Sequence, residues 1–440
     1  MGNEKNLELS DKLKKAYIGG HSNLKFDLSV TPMKIFVDRM EGARVWDLDG
    51  NEYVDYMCAL GPIIIGHCHP QYVRGLKDTL DKVSPTIGSY VLATEMEIEL
   101  AEKLKQHIPC AEEIKFVVTG SEAVQLAIRL ARAHTEKRYV IKFAGHYHGW
   151  FDNIIGQLLD PNPKGMPFGI DSPKDYYGTQ GKDPEAAKQT FILPWNDIEA
   201  VKDCFEKYGD QVAMVHCEII AYNHFGLMPR PGFLEGLKEL CEQYNVVLSF
   251  DEVITGFRVG LGGAQAKVGV TPHLATFGKA IAGGMPVALV AGKREIMKLL
   301  EDRTVLGPGT FMGYPLGVAA CVETIRILEQ DDGAVYREMD RLQQRLIAGI
   351  KEISRHKGIP MLCQGTTGAF VILPGVECEV AYTDEDMAAL DMRLLVKLQK
   401  TLQSEGVITR SGGTFYFTAV HNDTDIDFTL EAFSRTMAKL

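Results

Sequence analysis

Val246-Val247-Leu248-Ser249-Phe250-Asp251-Glu252, followed by Thr276-Phe277-Gly278-Lys279-Ala280-Ile281-Ala282-Gly283-Gly284, decides the reading of this 440-residue chain. The first run is apolar and short enough for a buried strand, and it ends on a carboxylate. The second is a strand that turns through a lysine into small residues and glycines. A lysine amine can condense with an aldehyde to form a Schiff base, and a carboxylate can keep a pyridine nitrogen protonated so that the ring draws electrons. Pyridoxal phosphate (PLP) chemistry needs that pair. Taken alone, a strand-end Asp is often a helix cap and a Gly-Lys pair is often solvated surface, so the reading needs more of the sequence.

Upstream, Ile114-Lys115-Phe116-Val117-Val118-Thr119-Gly120-Ser121-Glu122-Ala123-Val124 reads as a strand, a tight glycine turn and a new helix. Val124, Ile128 and Ala131 then recur at helical spacing, and Ser121 is placed to cap. A helix start exposes unpaired amides and a partial positive charge, so Gly120-Ser121-Glu122 is a candidate phosphate seat. Gly309-Thr310 offers a second element of the same kind.

The order of these segments resembles the class III aminotransferases of PLP fold type I, with most likeness to the glutamate-1-semialdehyde aminomutase branch. The likeness runs from Arg44-Val45-Trp46-Asp47-Leu48-Asp49-Gly50 through Gly145-His146-Tyr147-His148-Gly149 and Pro231-Gly232-Phe233-Leu234-Glu235 to Asp251-Glu252-Val253-Ile254-Thr255-Gly256-Phe257-Arg258 and Phe277-Gly278-Lys279. It implies that Lys279 binds the cofactor and moves the proton, that Asp251 pairs with the ring nitrogen and that Tyr147 stacks on the ring. Further cofactor contacts are implied for Gly120, Ser121, Glu122, His148, Glu218, Asn223 and Val253. Thr310 aligns with a threonine that reaches the phosphate of the neighbouring subunit, which implies a homodimer with shared active sites.

The resemblance also implies an α/β fold: a large domain with a mostly parallel sheet between helices, over 71–318, and a smaller α+β lobe from both termini, 1–70 and 319–440. The sequence agrees. Helical patterns near 95–107, 121–134 and 233–244 alternate with apolar strands near Val140, Val212 and Val246, as a parallel sheet requires. Residues 1 to about 34 are polar and helix-prone, Ile35-Phe36-Val37 and Val45-Trp46-Asp47 suggest a small sheet, and a helical stretch from Tyr314 to about Arg355 leads to strands near Phe370, Val407 and Phe415. A net charge of -11 argues against a nucleic-acid partner, and no apolar run approaches the roughly 18 to 20 residues of a membrane span. Nine cysteines without CxxC pairs and the lack of a charged-then-apolar leader predict a cytoplasmic protein.

Other signals read as ordinary structure. His67-Cys68-His69 and His146-Tyr147-His148 lack a third ligand in register, so no metal is expected. Gly260-Leu261-Gly262-Gly263 lacks the acid of a dinucleotide fingerprint and reads as a flexible substrate-side loop. Asp47 to Gly50 reads as a hairpin turn.

The substrate side departs from the aminomutase pattern. Aminomutases carry an Asn-Ser-Pro-Val-Arg type run, where this chain has His21-Ser22-Asn23-Leu24-Lys25; Lys25 keeps the charge and loses the bidentate fork. Arg410-Ser411-Gly412-Gly413-Thr414-Phe415 stands in place of a Phe-Glu-Ala-Gly-Phe run, and Arg410 is a candidate anion clamp or else a surface arginine. Glu218-Ile219-Ile220-Ala221-Tyr222-Asn223 departs from Glu-Pro-Val-x-Gly-Asn, so Tyr222 is expected to remodel the substrate pocket. These departures favour an aminotransferase moving an amino group between an amino acid or amino-bearing metabolite and an oxo-acid or aldehyde. The alternatives are the 2,1-aminomutase itself and a racemase or epimerase. A non-catalytic scaffold is disfavoured because Lys279 and Asp251 are both present.

Overall fold

The computed structural model describes residues 2–17, 34–87, 91–156 and 181–440. The chain forms two compact units, one of Met1–Pro70, Ala334–Val380 and Met387–Leu440, the other of Gln71–Gly333 with the short return segment Ala381–Asp386. The boundary placed at 318 from the sequence falls inside the helix Pro315–Leu328, which is buried along nearly its whole length and stays with the second unit. The helical stretch expected to run on from Tyr314 is interrupted at Asp331, Asp332 and Gly333, three consecutive left-handed residues (φ 49, 55 and 65).

The second unit is built on a seven-stranded sheet in the order Glu113–Val117, Ala288–Gly292, Leu274–Phe277, Val247–Glu252, Val212–Glu218, Tyr139–Phe143, Thr190–Leu193. Only Ala288–Gly292 runs against its neighbours; the other pairings are parallel. Val212–Glu218 and Val247–Glu252 are buried at every position, which is why they read as largely apolar runs rather than alternating ones. Helix Gly120–Thr135 lays Val124, Ala127, Ile128 and Ala131 into a cluster with Met214, Val247, Leu274 and Val290 from the sheet. Val124, Ile128 and Leu130 are at most 1% exposed. At about 1.5–3 kcal/mol for each large side chain, their burial exceeds the ~1 kcal/mol of a helix cap, so packing on the sheet fixes where this helix begins.

The first unit is α+β. The strands Val37–Glu41, Arg44–Asp47 and Glu52–Asp55 form an antiparallel meander, and Val407–Ile408 adds in parallel to its edge. The first strand begins at Val37 rather than at Ile35. Met361–Thr366, Ala369–Pro374 and Thr414–Tyr416 make a second antiparallel sheet. Residues 47–50 do form a hairpin turn, with Gly50 at φ 83. That turn also holds the helix Glu4–Ala16: the Asp49 carboxylate accepts from Lys5 N and Asn6 N at 2.9 Å each, and the buried Asn6 amide donates to Asp47 at 2.8 Å. Among the described residues no helix is long and apolar enough to cross a membrane.

Candidate active site

Because Ala288–Gly292 is antiparallel to both of its neighbours, Glu113–Val117 runs in the same sense as the five parallel strands. Six turns therefore open at one edge of the sheet, at 118–120, 144–149, 194–197, 218–223, 251–255 and 278–279. In open α/β sheets this carboxyl edge is where ligands bind. Register pairs Glu218 with Asp251 and Asp251 with Thr276, and pairs His216 with Ser249 two residues earlier. The sheet thus carries Glu218, Asp251 and Thr276 in one row, with the Thr276 hydroxyl buried and without a partner.

Asp251 is buried, yet its carboxylate is surrounded by donors. Oδ1 accepts from Val253 N at 2.9 Å, Oδ2 lies 2.7 Å from His148 Nδ1, and His216 Nε2 stands 3.5 Å from the same oxygen. Burial alone would raise this carboxyl; His148 and His216 outweigh it and hold the group well below the usual carboxylate range. Burial pushes the His148 imidazole down to about 3, with His216 adding to the effect and Asp251 opposing it. His216 Nδ1 is fixed by Ser249 Oγ at 3.0 Å. The negative charge is prepared for a cation presented at the strand edge.

Glu218 ties the neighbouring turns together. Its Oε1 accepts from Tyr147 N and Asn223 Nδ2, both at 2.9 Å, and its own amide donates to His146 Nδ1 at 3.0 Å. Burial and the Asp251 charge raise the Glu218 carboxyl, while Asn223, the Tyr147 amide and the Lys279 ammonium pull it back. Lys279 is therefore within electrostatic reach of this row. It is half-buried and sits at φ 48, in the left-handed region, a strained conformation for a lysine.

The loop carrying Tyr147 and His148 is pinned from several sides. Lys142, fully buried in its strand, donates to the carbonyls of His146 (2.9 Å), Ile154 (3.3 Å) and Gly156 (2.9 Å). Burial lowers its ammonium to about 7, with Glu218 opposing and Lys182 adding to the shift. Gly149 (φ 95) lies so near the first turn of the 120–135 helix that a Cβ would come within 2.5 Å of Ser121 Oγ.

The cap of that helix is Thr119, not Ser121. Thr119 Oγ1 accepts from Glu122 N at 3.2 Å, and the Glu122 carboxylate accepts from Thr119 N at 2.8 Å and Val118 N at 3.0 Å. Thr-x-x-Glu forms a reciprocal capping box, so packing starts the helix at Gly120 and turns the Glu122 side chain to the cap. The Gly120 and Ser121 amides remain without an intrahelical acceptor, as the first amides of any helix do. A Cβ on Gly120 would approach Val253 to 3.2 Å, so the bare backbone leaves room above the Asp251 turn.

The remaining expected residues are scattered. Thr310 is exposed in a turn of the second unit, and Tyr222 is buried, 1% exposed, inside that unit. Arg410 belongs to the first unit and is 7% exposed, so it is no surface arginine; its backbone is held by Thr414 O at 3.1 Å and by Gln399 Nε2 at 2.5 Å. Lys25 lies outside the described residues. The glycine run at 260–263 is not a loose loop: the buried Glu252 carboxylate accepts from Ala264 N at 2.9 Å and Gln265 N at 2.8 Å, and Thr255 also donates to it. Neither HxH pair works as a pair, since His67 bonds Asp55 at 2.9 Å while His146 and His148 face different partners. The folded chain does gather His148, His216 and Asp251, with ligand atoms within 4.8 Å of one another. His216 and Lys142 escape a sequence reading because a polar residue inside an apolar strand run carries no periodic signal; the one clue is His216-x-Glu218 beside Ser249-x-Asp251.

The donor set fits PLP: a buried carboxylate held ionised for the ring nitrogen, a strained lysine near it, and a bare helix start for the phosphate. A family profile described as Aminotransferase class-III matches residues 26–437. The glutamate-1-semialdehyde 2,1-aminomutase of Sulfurihydrogenibium sp. (strain YO3AOP1) is 34% identical over 98% of this chain and 97% of its own. The glutamate-1-semialdehyde 2,1-aminomutase 1 of Staphylococcus carnosus (strain TM300) is 35% identical over 100% of this chain and 99% of its own. Among solved structures, an omega-transaminase from Sphaerobacter thermophilus superposes with a TM-score of 0.88 at 26% identity, covering 98% of this chain and 97% of that one.

Proposed function

Since the chain belongs to the class III aminotransferases, enzymes of PLP fold type I that use PLP, we propose that it moves an amino group between adjacent carbons of one small substrate, as the 2,1-aminomutases named above do. Two relatives of that name matched from end to end support this reading over the two-substrate transamination that the sequence favours. The observation that carries PLP-dependent amino transfer itself is the buried Asp251 carboxylate, ringed by His148, His216 and Val253 N at the carboxyl edge of the sheet.

Bound PLP supplies an aldehyde that takes up the amino group and a protonated ring that draws electrons from the carbon bearing it. The chain's residues do the rest. Asp251 holds the proton on the ring nitrogen, and His148 and His216 orient its carboxylate. Tyr147 lies against the ring face, with Glu218 fixing its backbone and Asn223 beside it. The Gly120 and Ser121 amides would hold the phosphate, with Val253 packed close to Gly120. Lys279 Nζ would hold the aldehyde and would serve as the base that takes and returns the substrate-carbon proton. Thr310 reaches the phosphate of a second copy in a homodimer, in keeping with its exposed position. Arg410 and Lys25 receive substrate carboxylates. Nine free cysteines accord with a reducing, cytoplasmic setting.

Two-substrate transamination is the second reading, favoured by Lys25 in place of arginine and by Arg410-Ser411-Gly412-Gly413-Thr414-Phe415 in place of the Phe-Glu-Ala-Gly-Phe run. Purified enzyme given glutamate-1-semialdehyde and no second substrate separates the two. Conversion to 5-aminolevulinate supports the aminomutase; turnover only when an amino donor and an oxo acceptor are both present refutes it. A borohydride-fixed cofactor located on the Lys279 peptide, and absent from Lys279→Ala, tests the role of that lysine.

A further inference from the structure

The return segment Ala381–Asp386 is cut off in sequence from the unit it completes: the chain on either side of it belongs to the first unit. It is a small self-capped turn, in which the Asp386 carboxylate accepts from Tyr382 N at 2.8 Å and Thr383 N at 3.0 Å. It docks on the chain that follows Asn223. Met228 N donates to Ala381 O at 3.2 Å, and Asn196 Nδ2 bridges Tyr382 O at 2.7 Å and Met228 O at 2.8 Å. At its tip, Asp384 Oδ1 stands 2.7 Å from His224 Nε2, a close approach of carboxylate and ring whose angle is not that of a hydrogen bond. His224 is 5% exposed, and its other face is pressed on Gly145, where a Cβ would fall 2.0 Å from His224 Nδ1. Gly145, at φ 77, opens the loop that carries Tyr147 and His148.

We propose that Asp384 is a positioning residue for the cofactor: it pins His224, and the pinned ring is the wall against which the 145–149 loop is set. The inference rests on the reading of that loop as the cofactor's ring support. The His224 backbone is set by its own turn, its amide donating to Ala221 O at 2.8 Å and its carbonyl accepting from Leu227 N at 3.2 Å, and Asp384 is the charged partner at the ring itself. Its imidazole makes no contact of its own with Asp251 or Glu218, yet it occupies the space that would let Gly145 move. Lys142 holds the same loop through the His146 carbonyl and the chain beyond it through the Ile154 and Gly156 carbonyls. So anchored, the loop keeps Tyr147 and His148 in place before the cofactor arrives, and preorganisation of this kind shows as slower ligand release rather than as a new contact.

The test uses full-length Asp384→Ala, His224→Ala, the double variant, and Asp384→Glu as the conservative replacement. Two readouts are taken: hydrogen exchange of the apoprotein over 143–156, and the rate at which bound PLP leaves the loaded protein. The expected result is roughly tenfold faster exchange confined to 143–156 and 221–228, with the 212–218 strand unchanged. PLP release should accelerate by a similar factor, the double variant should be no worse than either single one, and Asp384→Glu should restore most of the effect. Exchange at 143–156 that matches the parent protein overturns the proposal, as do an increase spread evenly over the unit and strictly additive losses in the double variant. If the parent protein takes up no PLP, the cofactor reading fails, while the apoprotein exchange still decides the contact between Asp384, His224 and the loop.

Discussion

Replacing Gly145 by alanine tests the packing that sets the site. Gly145 sits at φ 77, where an L side chain costs about 1–2 kcal/mol. The new Cβ would lie 2.0 Å from His224 Nδ1, 2.3 Å from its Cγ and 2.7 Å from its Cβ, against the 3.0 Å that real contacts essentially never undercut. The imidazole must therefore retreat by about 1 Å. It has little room, being 5% exposed with Asp384 behind it, and forced displacement in a packed interior costs about 1–3 kcal/mol. The sum is about 2–5 kcal/mol, or roughly 6–12 °C off the unfolding transition of the second unit for a loss near the middle of that range. Urea unfolding followed by circular dichroism, in parent and His224→Ala backgrounds, separates the two contributions. Without the imidazole only the backbone strain should remain, about 1–2 kcal/mol. A Gly145→Ala cost below about 1 kcal/mol, or one that stays the same when His224 is removed, refutes the reasoning.

Three further outcomes are expected. Lys142 gives up its proton near 7 in the folded chain and near 10.5 in the unfolded chain, so between those values the unfolded state binds more protons and folding stability rises with pH; Lys142→Met should flatten that rise, and urea midpoints at pH 6.5, 8 and 9 check it. Asp251→Asn keeps the shape but loses the charge-assisted hydrogen bond to His148, a loss of about 1.5–3 kcal/mol, and should lower turnover more than a hundredfold while circular dichroism stays unchanged; turnover within tenfold of the parent contradicts the ring-nitrogen role. Asp49→Ala frees the amides of Lys5 and Asn6 and should cost about 1 kcal/mol, visible as faster proteolysis within residues 2–17 with the remaining fragments intact.

The sequence made the carboxyl edge of the sheet legible because Asp251 and Lys279 are charges at the ends of apolar runs, and an interruption at a strand end stands out. It hid Lys142 and His216, which are interruptions within such runs and are made tolerable by carbonyls of the loop after the strand for Lys142 and by a serine of the neighbouring strand for His216. The placement of Ser121 at the cap failed because Thr119 and Glu122 satisfy each other reciprocally, and packing against the sheet starts the helix one residue earlier. The glycines at 260–263 suggest looseness until Glu252, a distant strand residue, is seen to hold the amides after them. Arg410 could not be told from a surface arginine because an arginine in a polar, glycine-rich run carries no periodic signal of burial; Gln399 and Thr414 hold its backbone inside. The proposal of an aminomutase rests on whole-chain likeness, whereas the few altered residues at the substrate side point to a transaminase.

The return segment also imposes a schedule on biosynthesis. The sheet, the 120–135 helix and the helix Pro315–Leu328 are all synthesised by Gly333, yet the unit they form is completed only by Ala381–Asp386. At ~5–20 residues per second, roughly 50 further residues mean several seconds in which the nascent chain carries Lys279 and Asp251 while His224 still lacks Asp384. A messenger truncated just after codon 333 would yield a chain with every residue assigned to the cofactor and without the clasp that steadies them.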